Sequence, residues 1–122
     1  MTWANFTRKE FACQCGCGTN DITDDIINLA QELRDACGFP LAVTSGYRCA
    51  EHPIEARKAS VGSHGKGLAA DFGVTGREAK ILLREALKRS AGGVGVNQKG
   101  DHSGRFIHID VGRSRSGLLW TY

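Results

Sequence analysis

The stretch SHGKGLAADF, Ser63 to Phe72, sets His64 seven residues ahead of Asp71 with Gly65 and Gly67 between them. A second stretch, FIHIDVG from Phe106 to Gly112, carries His108 and Asp110 on alternate residues. Imidazole and carboxylate are the side chains that hold a catalytic zinc ion, which takes three protein ligands and keeps a fourth position for water or substrate. His64, Asp71 and His108 can supply that set. The same residue types also suit a plainer reading, in which a histidine in an apolar strand is a hydrogen-bonded core residue and Asp71 braces a turn.

The elements that must position these residues alternate along the chain. NDITDDIINLAQELRDACG is predicted to be a helix, capped by Asp21 or Thr23, striped with Ile26, Ile27, Leu29, Ala30 and Leu33, and ended by Gly38. FPLAVTSGYR follows as a strand entering a loop, and the polar, glycine-containing segment from Ala50 to Gly67 as a long excursion with a helical turn. LAADFGV is a short buried strand. Gly65 and Gly67 let the chain fold back so that His64 faces Asp71. A second helix runs from Gly76 to Ser90 with Ala79, Leu82, Leu83, Ala86 and Leu87 at helical spacing. GGVGVN and RFIHIDVG are then strands, the last with Phe106, His108 and Asp110 on one face and Ile107, Ile109 and Val111 on the other. The fold class expected is α+β, a small mostly antiparallel sheet with flanking helices.

At 122 residues the chain suits a single domain, 1–122, and its 41% hydrophobic and 24% charged residues suit neither disorder nor a fibre. A net charge of +3 favours an anionic partner without naming one, and the scattered Lys and Arg argue against nucleic acid. The opening MTWANFTRKEF lacks the apolar core of a signal peptide, and no window approaches the roughly 18 apolar residues of a membrane span. Synthesis in the cytoplasm, no membrane association and a monomer are expected. Five cysteines leave at least one thiol over. Cys13, Cys15 and Cys17 alternate in FACQCGCG and lack the C-x₂-C spacing of common structural zinc sites, so reduced, partly buried thiols or one bridge to Cys49 are expected rather than a metal site.

TSGYRC at Thr44 to Cys49, GSHGKGLAADF at Gly62 to Phe72, and AGGVGV with FIHIDVG between Ala91 and Gly112 occur in that order. Together they resemble the zinc D-alanyl-D-alanine carboxypeptidase family, whose relatives include murein endopeptidases, phage endolysins and the hedgehog signalling domain. The likeness extends over nearly the whole chain and is strongest to domains opening with F-x-C-x-C-G-C. The resemblance implies a hedgehog-like peptidase fold with Zn²⁺ held by His64, Asp71 and His108. It also implies Arg48 as the residue that holds a substrate carbonyl or carboxylate, with Ser45 and Tyr47 of the same segment beside it. A guanidinium suits that task because it stays charged and donates two parallel hydrogen bonds.

Many relatives carry an acid three residues before the last zinc histidine, where this chain has Arg105. Asp110 is then the first candidate for general base, with orientation of His108 as its competing role. Asp101 and His102 in KGDHSG are the next candidates, and His52 is a loop residue. A nucleophilic Cys49 is disfavoured by the ordered zinc motifs. The resemblance implies cleavage of peptide stems or cross-bridges of bacterial peptidoglycan, by an endopeptidase more than a carboxypeptidase. A phage lysis enzyme reaching the wall through a separate pore is the expected setting. An inactive zinc-stabilised wall-binding module and a virion tail component are the alternatives.

Overall fold

The computed structural model describes residues 2–58, 60–89, 91–112 and 117–122. Helix α1 spans Asp24–Cys37, strand β1 Ala42–Ser45, the short helix α2 Pro53–Ala56, strand β2 Ala69–Gly73, helix α3 Gly76–Lys88, strand β3 Val94–Asn97, strand β4 Phe106–Asp110 and strand β5 Leu119–Thr121. The sheet order is β1-β2-β4-β3-β5, with every pairing antiparallel except β3 with β5. The expected α+β architecture is therefore present. Strand β5 was not foreseen, and it adds the one parallel edge.

Helix α1 buries all five residues of its apolar stripe, and the wholly buried Ile26, Ile27 and Leu33 contribute about 2 kcal/mol each by area. It ends as expected at Gly38, which is left-handed at φ 78° and donates its N–H to the Arg34 carbonyl. At the other end the N-cap is Thr23, but its hydroxyl does not cap. It donates to the Gly67 carbonyl at 2.8 Å, and the Thr23 N–H donates to the same oxygen at 2.9 Å. The start of the helix is thus tied to the loop that carries His64.

Gly67 makes that junction possible. Its φ is 70°, and a Cβ there would come within 2.1 Å of the Asp21 carbonyl oxygen. Gly65 does not share this conformation, so the fold-back expected of both glycines rests on Gly67.

Helix α3 packs beside α1 across the sheet through Ala79, Leu82 and Ala86. Leu87, expected in that stripe, is 58% exposed. It lies roughly 140° round the helix from Leu82, off the buried face. Glu85 is buried among Arg84, Lys88 and Arg89 instead. Ser90, the expected last residue of this helix, lies outside the described residues. Ala70, Phe72, Ile107 and Ile109 fill the helix-facing side of β2 and β4, which leaves Asp71 and His108 on the opposite side.

Candidate metal centre

Register puts Asp71 directly across from His108 in the antiparallel β2–β4 pair. A slip of one residue would turn both into the hydrophobic core, so the apolar residues that alternate with them also fix their face. His64 arrives from the 63–67 turn and completes a triangle. Its Nε2 lies 3.1 Å from Asp71 Oδ1 and 3.1 Å from His108 Nδ1, and His108 Nδ1 lies 3.0 Å from Asp71 Oδ1. All three side chains are buried.

The remaining ring nitrogens fix the tautomers. His64 Nδ1 sits 2.8 Å from the Gly46 carbonyl oxygen, which can only accept, so that nitrogen carries the proton. His108 Nε2 sits 2.8 Å from Asp110 Oδ2, again only an acceptor. In the neutral rings, the lone pairs of His64 Nε2 and His108 Nδ1 therefore converge on one carboxylate oxygen with no proton to separate them. Four-coordinate zinc with bonds of about 2.0–2.1 Å would set its nitrogen and oxygen donors roughly 3.3 Å apart, close to the spacing found. These donors fit a cation.

The electrostatics agree. Burial pushes the Asp71 carboxyl up, but when no metal separates the three groups and a ring takes up a second proton, hydrogen bonds from His108 and His64 outweigh burial and hold the group well below the usual carboxylate range. Burial works against a charge on His108, yet the hydrogen bonds to Asp110 and Asp71 prevail and raise the ring above its ordinary 6.5.

Arg48 lies against this cluster. Its Nε donates to Ser45 Oγ at 3.1 Å, while Nη2 stands 3.5 Å from Asp71 Oδ2 and Nη1 stands 3.6 Å from Glu55 Oε2. The two longer contacts leave donor capacity for a substrate oxygen. Ser45, expected beside Arg48, braces its guanidinium. Tyr47 packs against the core and lines an adjoining cleft that shares Arg48, not the cleft that contains the histidines.

Asp110 is wholly buried behind His108. Its Oδ2 takes the ring proton, and its Oδ1 accepts the N–H groups of Gly93 at 2.8 Å and Gly112 at 3.2 Å. Asp101 and His102 are exposed at a 3-10 turn, and neither lines the histidine cleft. Arg105 folds back onto its own loop, donating Nε and Nη2 to the Gly100 carbonyl at 3.1 and 3.0 Å. His52 caps α2 by accepting the Ile54 N–H.

The histidine cleft, about 460 Å³, is also lined by Phe106, Trp120 and Tyr122. Trp120 lies 5.0 Å from the His108 ring, over Gly95, where a Cβ would meet the indole at 2.5 Å. Sequence reasoning placed Phe106 on the face of His108 but missed Trp120 and Tyr122, although the glycine at position 95 in an otherwise apolar strand was a signal of close approach.

A buried two-histidine, one-carboxylate cluster at the floor of a cleft beside a braced arginine is a donor set that could hold a metal ion, of the kind metal-dependent hydrolases use. The chain matches the Peptidase M15 family over residues 4–110 and belongs to that family of metallopeptidases. It is 36% identical over 81 residues to proteins named peptidoglycan L,D-endopeptidase MepK from Escherichia coli and from Shigella flexneri. The aligned stretch is 62% of this chain and 42% of each relative, so the chain spans less than half the length of the curated relatives it matches.

Proposed function

We propose that this domain is a zinc-dependent peptidase acting on the peptide stems or cross-bridges of bacterial peptidoglycan. The observation that carries the reading is the convergence of three lone-pair donors 3.0–3.1 Å apart with the outer nitrogens of both rings committed to acceptors. A zinc ion held by His64, Asp71 and His108 would supply a polarised scissile carbonyl and a water of lowered pKa. Asp110 and the Gly46 carbonyl hold the two rings in the tautomer that leaves the donor atoms free. Arg48 steadies the negative charge that develops on the carbonyl oxygen, and its braces keep it from wandering at that moment.

Asp110 is assigned here as a positioning residue, since both of its oxygens are occupied and it has no exposure to the cleft. Among the described residues, Asp71 is the only carboxylate lining the histidine cleft. With Arg105 at the position where many relatives carry an acid, the general base is unassigned among the described residues. Endopeptidase action is favoured over carboxypeptidase action by the similarity to proteins named as endopeptidases. Peptidoglycan is anionic, in keeping with the net charge of +3. Within that reading we place the domain in wall degradation during phage lysis, as an endolysin.

The test is a mass-spectrometric digest of purified peptidoglycan by zinc-loaded protein, beside chelator-treated protein and His108→Ala. New amino termini in the loaded sample alone support the proposal and name the bond. Identical digests from all three samples, with zinc still bound stoichiometrically to the parent, reject catalysis and favour a wall-binding module.

A further inference from the structure

Four of the five cysteines meet far from the histidine cluster in sequence. Cys13, Cys15 and Cys17 come from the N-terminal loop and Cys49 from the segment after β1, and their sulfurs all lie within 4.8 Å of one another. We propose that these four thiols form a second metal centre, a structural zinc site that pins the N-terminal loop to the loop bearing Arg48.

Four sulfurs mutually within 4.8 Å suit a shared ion better than a single pair. Zinc–sulfur bonds of about 2.3 Å place the four sulfurs of a tetrahedral site roughly 3.8 Å apart. Cys15 Sγ lies 3.4 Å from Cys13 Sγ and 3.3 Å from Cys49 Sγ, and every other sulfur pair lies within 4.8 Å, a range that brackets that spacing. All four thiols are free. Four sulfur donors leave no open position, and soft thiolates in tetrahedral array select zinc over harder cations.

The chain is shaped for this. Alternation alone would point three cysteines one way along an extended segment, but Gly16 and Gly18 are left-handed, at φ 92° and 77°, and coil the run so that its sulfurs surround a point. Backbone donors face the sulfurs as they do around metal-bound thiolates. The Cys49 N–H donates to Cys13 Sγ and the Thr19 N–H to Cys17 Sγ, each at 3.4 Å. The C-x-C-x-C spacing, which argued against a cysteine site in the sequence, is completed by a fourth ligand 36 residues from the first. Cys37, on α1, stands outside the group.

The site also has something to hold. The Tyr47 N–H donates to the Phe11 carbonyl at 2.8 Å and Gln14 Nε2 to the Thr44 carbonyl at 3.0 Å, so the N-terminal loop already lies along the segment leading to Arg48. A metal bond to Cys49 fastens the residue next to Arg48. Small domains use metal staples where the core alone is thin.

The experiment uses the full chain purified under reducing conditions without chelator, and a His64→Ala/His108→Ala variant that leaves the cysteines untouched. We expect two zinc equivalents in the parent and one in the double-histidine variant. On Co²⁺ exchange, the retained equivalent should give strong sulfur-to-cobalt charge-transfer absorption with tetrahedral visible bands. Cys49→Ser should lose that equivalent and its absorption, while Cys37→Ser should keep both. Should Cys49→Ser fail to fold, titration of the parent with a mercurial reagent provides the reading, with one zinc released per four thiols modified. A double-histidine variant that binds no metal, or a Cys15–Cys49 disulfide found by mass, overturns the proposal. Because the reading is made with the histidine cluster removed, its failure is distinguishable from failure of the peptidase assignment.

Discussion

Asp71 and His108 come from neighbouring strands in the middle of the sheet, whereas Arg48, His64 and Arg105 come from loops around it. A strand residue is placed by register, which allows errors only in whole steps that would overturn the core. A loop residue is placed by whatever braces it. Arg48 accordingly has three side-chain partners and a backbone N–H donated to the His64 carbonyl at 3.2 Å. Among the described residues, Arg105 has only the Gly100 carbonyl. The floor of the cleft carries donors whose mutual distances must hold to tenths of an ångström, and the loops carry the charge that must meet a substrate.

If that division is right, damage to the floor should be the most severe. His108→Ala should lower kcat/KM by roughly a thousandfold or more, because the metal chemistry is worth several kcal/mol, and should keep the fold with about 1–3 kcal/mol less stability, since the buried Asp110 carboxylate loses its ring partner. Steady-state assay on a defined stem peptide, with circular dichroism alongside, checks this. A variant that keeps a tenth of the activity would break the assignment of the floor.

On the loop side, Arg48→Lys should lower kcat about a hundredfold with a smaller change in KM, since lysine keeps the charge but loses the fork that reaches Ser45 and a substrate oxygen together. A loss expressed only in KM would make Arg48 a ground-state contact. Asp110→Asn turns an acceptor toward His108 Nε2 into a donor or leaves the Gly93 N–H unpaired, so zinc affinity should fall about 10- to 100-fold. Competition with a chromophoric chelator measures it. An unchanged affinity would show that register alone orients His108.

Much of this is legible in the sequence. The 3.6-residue stripe of α1 and the alternation in Phe106–Asp110 come from local geometry, so the helix, the strand and the face of His108 follow from neighbouring residues. What could not be read was non-local. Strand β5 has three residues and pairs in parallel with β3, a connection no local pattern announces, and Trp120 arrives with it. Glu55, buried between Arg48 and Lys58, looked like one more polar loop residue. The cysteine group needed Cys49 to come back to a run that ends at Cys17. Asp110 was recognised as important, but whether it faced the cleft or stood behind His108 depended on its second oxygen, which the Gly93 and Gly112 N–H groups occupy.

Arg105→Glu is a gain-of-function test of the same division. It places an acid three residues before His108, where many relatives carry one, and should raise kcat by up to about tenfold. That is less than a well-placed general base contributes, because the loop was not shaped to aim it. No gain would mean that this loop cannot deliver a proton acceptor to the cleft.

Glu55→Gln should have the smallest effect, and it tests whether the loops depend on their braces. Glu55 is buried, which pushes its carboxyl up, but the hydrogen bond and charge of Lys58, the Gly62 N–H and Arg48 together hold it below its ordinary 4.5. A carboxyl lowered in the fold stabilises the protein at pH values above the unfolded pKa, and that contribution disappears as pH falls through the folded one. The glutamine keeps the shape and loses the charge, so about 1 kcal/mol should be missing at neutral pH. The parent and variant curves should converge in acid below the ordinary carboxylate range. Urea unfolding at a series of pH values reads both limbs. A gap that persisted unchanged into acid would mean that Glu55 braces Arg48 by packing and not by charge, and the loop wall would then be closer in kind to the floor than the comparison holds.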